Sequence, residues 1–136
     1  MLAQLTIQNF GLIDRLSLDF HNQLNILTGE TGAGKSIIID ALRIVLGERM
    51  QTSFIRDTEK PCHIEAVFQL NKELAAHELM QDFLASDENE LIIRRAFQAD
   101  GRNKIQINGL SITVSQLKQV GNLLMDFHGP HDHQML

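Results

Sequence analysis

The chain has 136 residues, 43% of them hydrophobic, enough to bury one core of ordinary size and so to make one domain, 1–136, rather than two. Asp and Glu number 17 against 12 Lys and Arg, and a net charge of −5 excludes a surface that coats nucleic-acid phosphates wholesale. One cysteine, Cys62, excludes an internal disulfide and a thiolate zinc cluster, while the lack of a long apolar run or a signal-peptide start makes the cytoplasm the expected compartment.

LAQLTIQNF and IDRLSLDF each alternate apolar and polar residues around a turn at Gly11, which predicts an antiparallel pair. LNILT (24–28) reads as a short buried strand. It runs into GETGAGKS (29–36), and then KSIIIDALRIVLGE, apolar nearly all round, predicts a buried helix that begins near Lys35 and ends at Gly47. ERMQTSFIRDTEK has no period and reads as a loop up to Pro61. The next strand places Cys62, Ile64, Ala66, Phe68 and Leu70 on one face, with Cys62 a buried, inert thiol. NKELAAHELMQDFLAS has helical spacing, with Asn71 as its N-cap.

ELIIRRAFQ and KIQIN predict two strands joined by ADGRN, and Asn108-Gly109 predicts a hairpin into LSITV. Ser115 is the expected cap of a short helix, SQLKQVGN. LLMDF then reads as a central strand, and HGPHDHQML as a loop. No internal repeat or linker is visible.

The stretch 29–36 carries the chemistry. In G-x-x-x-x-G-K-[ST], main-chain N–H groups converge on an anion while the glycines keep side chains away from it. Gly29, Gly32 and Gly34 form that nest, to which Glu30, Thr31 and Ala33 add mainly backbone. Lys35 is suited to the β and γ phosphates and the Ser36 hydroxyl to Mg²⁺, at the positive end of the helix dipole. A lysine between a glycine nest and an apolar helix has little structural use without an anion.

Two other clusters are weaker. His128, His131, Asp132 and His133 crowd one loop beside Pro130, whereas catalytic zinc sites collect ligands from separated elements. Arg94, Arg95, Arg102 and Lys104 lie on the hairpin. Alternation puts Arg94 and Arg95 on opposite faces, so a solvated strand face is the first expectation and phosphate contact the second.

An antiparallel pair ahead of the phosphate loop points to the ABC-type ATPase head, in which a glutamine stands on a loop far downstream; Gln134 fits that place. The chain resembles the RecN-type DNA repair ATPases, relatives of the SMC proteins, in LTIQNFGLID, LTGETGAGKSIIIDAL, LGER, IIRR…DGRNK…INGLSITVSQL and HGPHDHQ. It departs from the family pattern at Pro130, Asn103 and Lys104, which leaves the outer contacts of tail and hairpin open.

The resemblance implies an α/β fold: the N-terminal lobe of an ABC/SMC-type phosphate-loop ATPase head, with an antiparallel β subdomain beside the phosphate-loop strand and helix. It implies ATP and Mg²⁺ as ligands, Lys35 and Gln134 as catalytic groups, Gln134 with Ser36 at the metal, and Arg49 as a residue reaching nucleotide or DNA. For Arg49 the alternative is a cation complementing the helix C-terminus. Expected partners are a C-terminal head lobe, a second head and DNA, with the chain monomeric in dilute solution. Walker B acids, the signature motif and coiled-coil heptads do not occur in these residues, so ATP binding without efficient hydrolysis is expected. A self-contained phosphate-loop kinase or nucleotide-binding regulator is the alternative, and a module whose loop has lost its ligand a third reading.

Overall fold

The computed structural model describes residues 1–20 and 32–128, with residues 32–35, 127 and 128 described in backbone only. Among the described residues, six strands form one antiparallel sheet. They are β1 (Leu2–Phe10), β2 (Ile13–Asp19), β3 (Cys62–Gln69), β4 (Glu90–Phe97), β5 (Asn103–Ile107) and β6 (Leu110–Ser111), in the order β2-β1-β3-β4-β5-β6. The predicted hairpins are present. Gly11 turns β1 into β2 at φ 60°, and Asn108 and Gly109, at φ 48° and 85°, turn β5 into β6 as a two-residue turn with both centres left-handed requires.

Alternation decides which face is buried. Leu5 and Ile7 on β1, Cys62, Ile64, Ala66 and Phe68 on β3, Leu91 and Ile93 on β4 and Ile107 on β5 are all fully buried. The opposite face carries Gln4, Thr6, Gln8, Arg15, His63, Glu65 and Arg94. Helix α1 (Gly32–Val45) covers the apolar face through Ile38, Ala41, Leu42, Ile44 and Val45. Burial of such aliphatic side chains stabilises by about 1.5–3 kcal/mol each. Ile37 and Ile39 stay half-buried, so the helix is less enclosed than its all-round apolar sequence predicts. It also begins earlier than expected, at Gly32 rather than near Lys35.

Two predicted elements are corrected. Helix α3 runs unbroken from Val114 to His128, so LLMDF continues a helix and is not a strand. Leu117, Val120, Gly121 and Leu124 make one buried stripe at helical spacing, which carries the helix through the glycine. Its cap is Thr113 rather than Ser115: Thr113 Oγ1 accepts from Gln116 N–H at 3.1 Å and Gln116 Oε1 accepts from Thr113 N–H at 2.9 Å, a reciprocal capping box.

The segment after Asn71 is broken as well. Asn71 Oδ1 accepts from Leu74 N–H at 2.8 Å, as expected, but α2 covers only Lys72–Ala75. A separate 3₁₀ turn, Glu78–Met80, follows, because His77 Nδ1 accepts from Leu79 N–H and restarts the chain. The predicted strand 24–28 lies outside the described residues. No helix among the described residues is long and apolar enough to cross a membrane.

Candidate functional site at the start of α1

Any α-helix opens with N–H groups that have no partner within the helix, and these are what an anion binds. Here Gly32, Ala33, Gly34 and Lys35 form the first turn of α1, and Ser36, exposed, follows them. Gly29, Glu30 and Thr31 lie outside the described residues. So does Gln134, together with His131, Asp132 and His133. His128 is the last residue of α3, and the described residues hold no cluster of metal-ligating side chains.

The opposite end of α1 is held in three ways. Gly47, at φ 118°, lets its own N–H bond the Ile44 carbonyl at 3.1 Å while Glu48 N–H bonds Arg43 O at 3.0 Å, the paired bonds of a glycine C-cap. Arg95 reaches the same place from β4. It is 3% exposed, and its Nη1 donates to the carbonyls of Ile44 at 2.6 Å and Glu48 at 2.7 Å. The guanidinium also lies 4.6 Å from the Phe97 ring centroid, and burial lowers its pKa to about 10, which leaves it cationic at neutral pH. Third, α3 crosses the end of the helix, where Gly121 meets the carbonyl of Leu46.

Sequence reasoning missed Arg95. It treated the residue as one of four hairpin cations, yet Leu91, Ile93, Arg95 and Phe97 alternate in one inward-facing row, and a charge in such a row signals a buried polar partner. The other three do not make a common basic patch. Arg94 pairs with Glu65 at 2.8 Å across β3 and β4, Arg102 pairs with Asp100 at 2.8 Å within the turn, and Lys104 is exposed on β5. The Arg102 backbone N–H and then its side chain hold the Asp100 carboxyl below the usual carboxylate range.

Arg49 is exposed beyond the end of α1. A helix of 14 residues spans about 20 Å, so this side chain stands at the other end of α1 from the glycine-rich turn. The C-terminal cation that the sequence suggested for α1 is therefore supplied by Arg95. Between Arg49 and β3 the chain is fastened to the β1–β2 turn by Asn9, a buried residue at φ 59°. Its Nδ2 donates to the carbonyls of Asp57 and Lys60, both at 2.9 Å, and its Oδ1 accepts from Asp57 N–H at 2.7 Å. Phe10 stacks on Phe54 with ring centroids 5.1 Å apart.

A helix whose first turn is glycine-rich and whose far end is clamped against an antiparallel sheet invites comparison with known phosphate-loop domains. The family model described as "AAA domain" matches residues 4–127. The chain belongs to the AAA domain family.

Its relatives narrow the type. It is 43% identical over its whole length to the DNA repair protein RecN of Vibrio cholerae and 40% identical to RecN of Bacillus subtilis, covering 24% of each. The chain thus spans about a quarter of the length of the curated relatives it matches. A solved structure from work on ATP-driven dimerization and DNA-stimulated activation of SMC ATPases superposes with a TM-score of 0.67 at 22% identity. That superposition covers 90% of this chain and 78% of the other. The fold is that of the N-terminal lobe of an SMC/ABC-type head, as the RecN-type resemblance of the sequence implies.

Proposed function

We propose that this chain is the Mg-ATP-binding lobe of a RecN-type ATPase that acts in recombinational repair of DNA double-strand breaks. The observation that carries the reading is the G-x-x-x-x-G-K-S stretch at the start of α1, a helix whose far end is fixed to the sheet by Arg95, in a chain similar over its whole length to RecN proteins. In this reading the amides of Gly29 to Gly34 cradle the phosphates, Lys35 neutralises the β and γ groups, and Ser36 with Gln134 holds Mg²⁺. The bound metal would draw charge from the phosphoryl oxygens. Ser36, exposed beside the first turn of α1, suits that task. Arg49 has no part in this cradle, since α1 is about 20 Å long and separates the two.

Turnover needs a group that orients the attacking water and a lid over the γ-phosphate, neither of which these residues supply. Binding without efficient hydrolysis is the consequence for the isolated chain. A C-terminal head lobe and a second head would complete the site, and DNA would be the substrate of the whole assembly. The cytoplasm, at the nucleoid, is the compartment this work requires.

Thermal-shift titration with Mg-ATP, on the chain and on Lys35→Ala, tests the reading. Nucleotide at a hundred times its dissociation constant stabilises the parent by about 2.7 kcal/mol. Equal shifts in both proteins would remove Lys35 from the site, and no shift in the parent would sink nucleotide binding altogether. Phosphate transfer to a small acceptor, or steady hydrolysis that follows the chain through purification, would favour a self-contained kinase or ATPase instead.

A further inference from the structure

A cleft of about 520 Å³ opens between the end of α1, the β4–β5 hairpin and the start of α3. Arg49, Arg95 and Lys118 line it, and among the described residues no Asp or Glu does, although the chain as a whole is acidic at a net charge of −5. Met50, Phe97 and Val114 give it an apolar side, and Val114 is 44% exposed.

Arg95 is the second, independent observation. At 3% exposed it is partnered only by neutral carbonyls and a ring, and its Nε is the one buried side-chain polar atom without a partner among the described residues. With no carboxylate paired to it among the described residues, its charge adds to the attraction of the cleft for an anion. Arg49 and Lys118 form no ion pair among the described residues either.

We propose that this cleft is a docking site for an acidic peptide segment, which sets a carboxylate between Arg49 and Lys118 and an apolar side chain against Met50 and Phe97. Charge complementarity selects the carboxylate and the apolar side selects a peptide. A nucleic-acid backbone brings phosphates but no apolar group to set against Met50 and Phe97. The volume suits a few side chains rather than a duplex. The proposal is independent of the nucleotide site, since Lys118 and Arg49 lie at the far end of α1.

The test is fluorescence anisotropy with a labelled, end-blocked peptide, Asp-Leu-Glu-Phe-Asp-Leu, against its amide counterpart Asn-Leu-Gln-Phe-Asn-Leu, duplex DNA and inorganic phosphate. The acidic peptide should bind at least tenfold more tightly than the amide form, and more weakly as salt rises. Lys118→Glu should weaken it several-fold while the response to Mg-ATP stays unchanged, and Arg49→Glu combined with it should abolish binding. If Lys118→Glu misfolds, Lys118→Gln gives the same reading with a smaller loss. Equal binding of both peptides, no binding of either, competition by phosphate alone, preferential binding of DNA, or indifference to Lys118 would each overturn the proposal.

Discussion

Gly121 of α3 sits against the carbonyl of Leu46 so closely that a β-carbon would overlap the oxygen. Two helices therefore meet backbone to backbone at the end of α1, and only a glycine permits it. Gly121→Ala gains up to about 1 kcal/mol in helix propensity, but the clash with a fixed carbonyl costs more, about 1–3 kcal/mol or above. We expect a lower urea midpoint for Gly121→Ala with an unchanged slope. A midpoint at or above the parent's would show that α3 can shift at no cost.

Asn9 is placed by conformation and by hydrogen bonding at once, and two substitutions separate these. Asn9→Ala loses the bonds to Asp57 and Lys60 and puts a β-branch-free but chiral residue at φ 59°, for a loss of about 3 kcal/mol. Asn9→Gly removes the same bonds without the backbone penalty and should recover about 1 kcal/mol of that loss. Urea unfolding of the two variants side by side measures the difference; equal losses would mean that φ plays no part.

Arg95 ties β4 to α1 through one guanidinium shared by two carbonyls. Arg95→Met relieves a buried charge but leaves the Glu48 carbonyl without its donor and the Ile44 carbonyl with the Gly47 N–H alone. The second effect prevails, and a net loss of about 1–3 kcal/mol is expected. Hydrogen exchange should locate the damage: amides in the last turn of α1 lose protection before those of β1 and β3. Uniform loss of protection would instead assign Arg95 to the global fold.

Cys62 is fully buried on β3, and burial pushes its thiol up from 9.0 to about 12. The folded chain holds this proton longer than the unfolded one, so the contribution is complete below pH 9 and declines as pH rises towards 12. Lowering of Arg95 to about 10 acts in the opposite sense above pH 10, which leaves pH 9 to 10 as the informative window. There, stability should fall by an extra amount approaching 1.4 kcal/mol per pH unit relative to Cys62→Ala. At pH 8 a thiol reagent should label Cys62 only when denaturant is added; prompt labelling of the native protein would contradict its burial.

Much of the sheet was legible because each strand writes its buried face in alternate residues and its turns in glycine and asparagine. Asn108-Gly109, Gly47 and the row from Cys62 to Leu70 all read true for those local reasons. The errors arose where a local signal was outweighed by packing. Gly121 resembles a helix terminator until Leu46 is seen beside it, and LLMDF is too short for periodicity alone to separate strand from helix. His77 ended a helix through a side-chain bond that spacing does not announce. At the candidate site, the phosphate-loop motif identifies itself by residue type, but Arg95 required knowing what lies behind β4.

In the sheet order, β1 stands between β2 and β3, so the polypeptide departs on one side of β1 and rejoins on the other. The glycine-rich stretch and helix α1 sit in that detour, closed at both ends by rungs of the same ladder. Closing a longer detour costs little, about 0.6 kcal/mol for each doubling. Evolution can therefore lengthen or rewrite the stretch from β2 to β3 without disturbing the frame, while a change in β1 itself would unfasten both of its ends together.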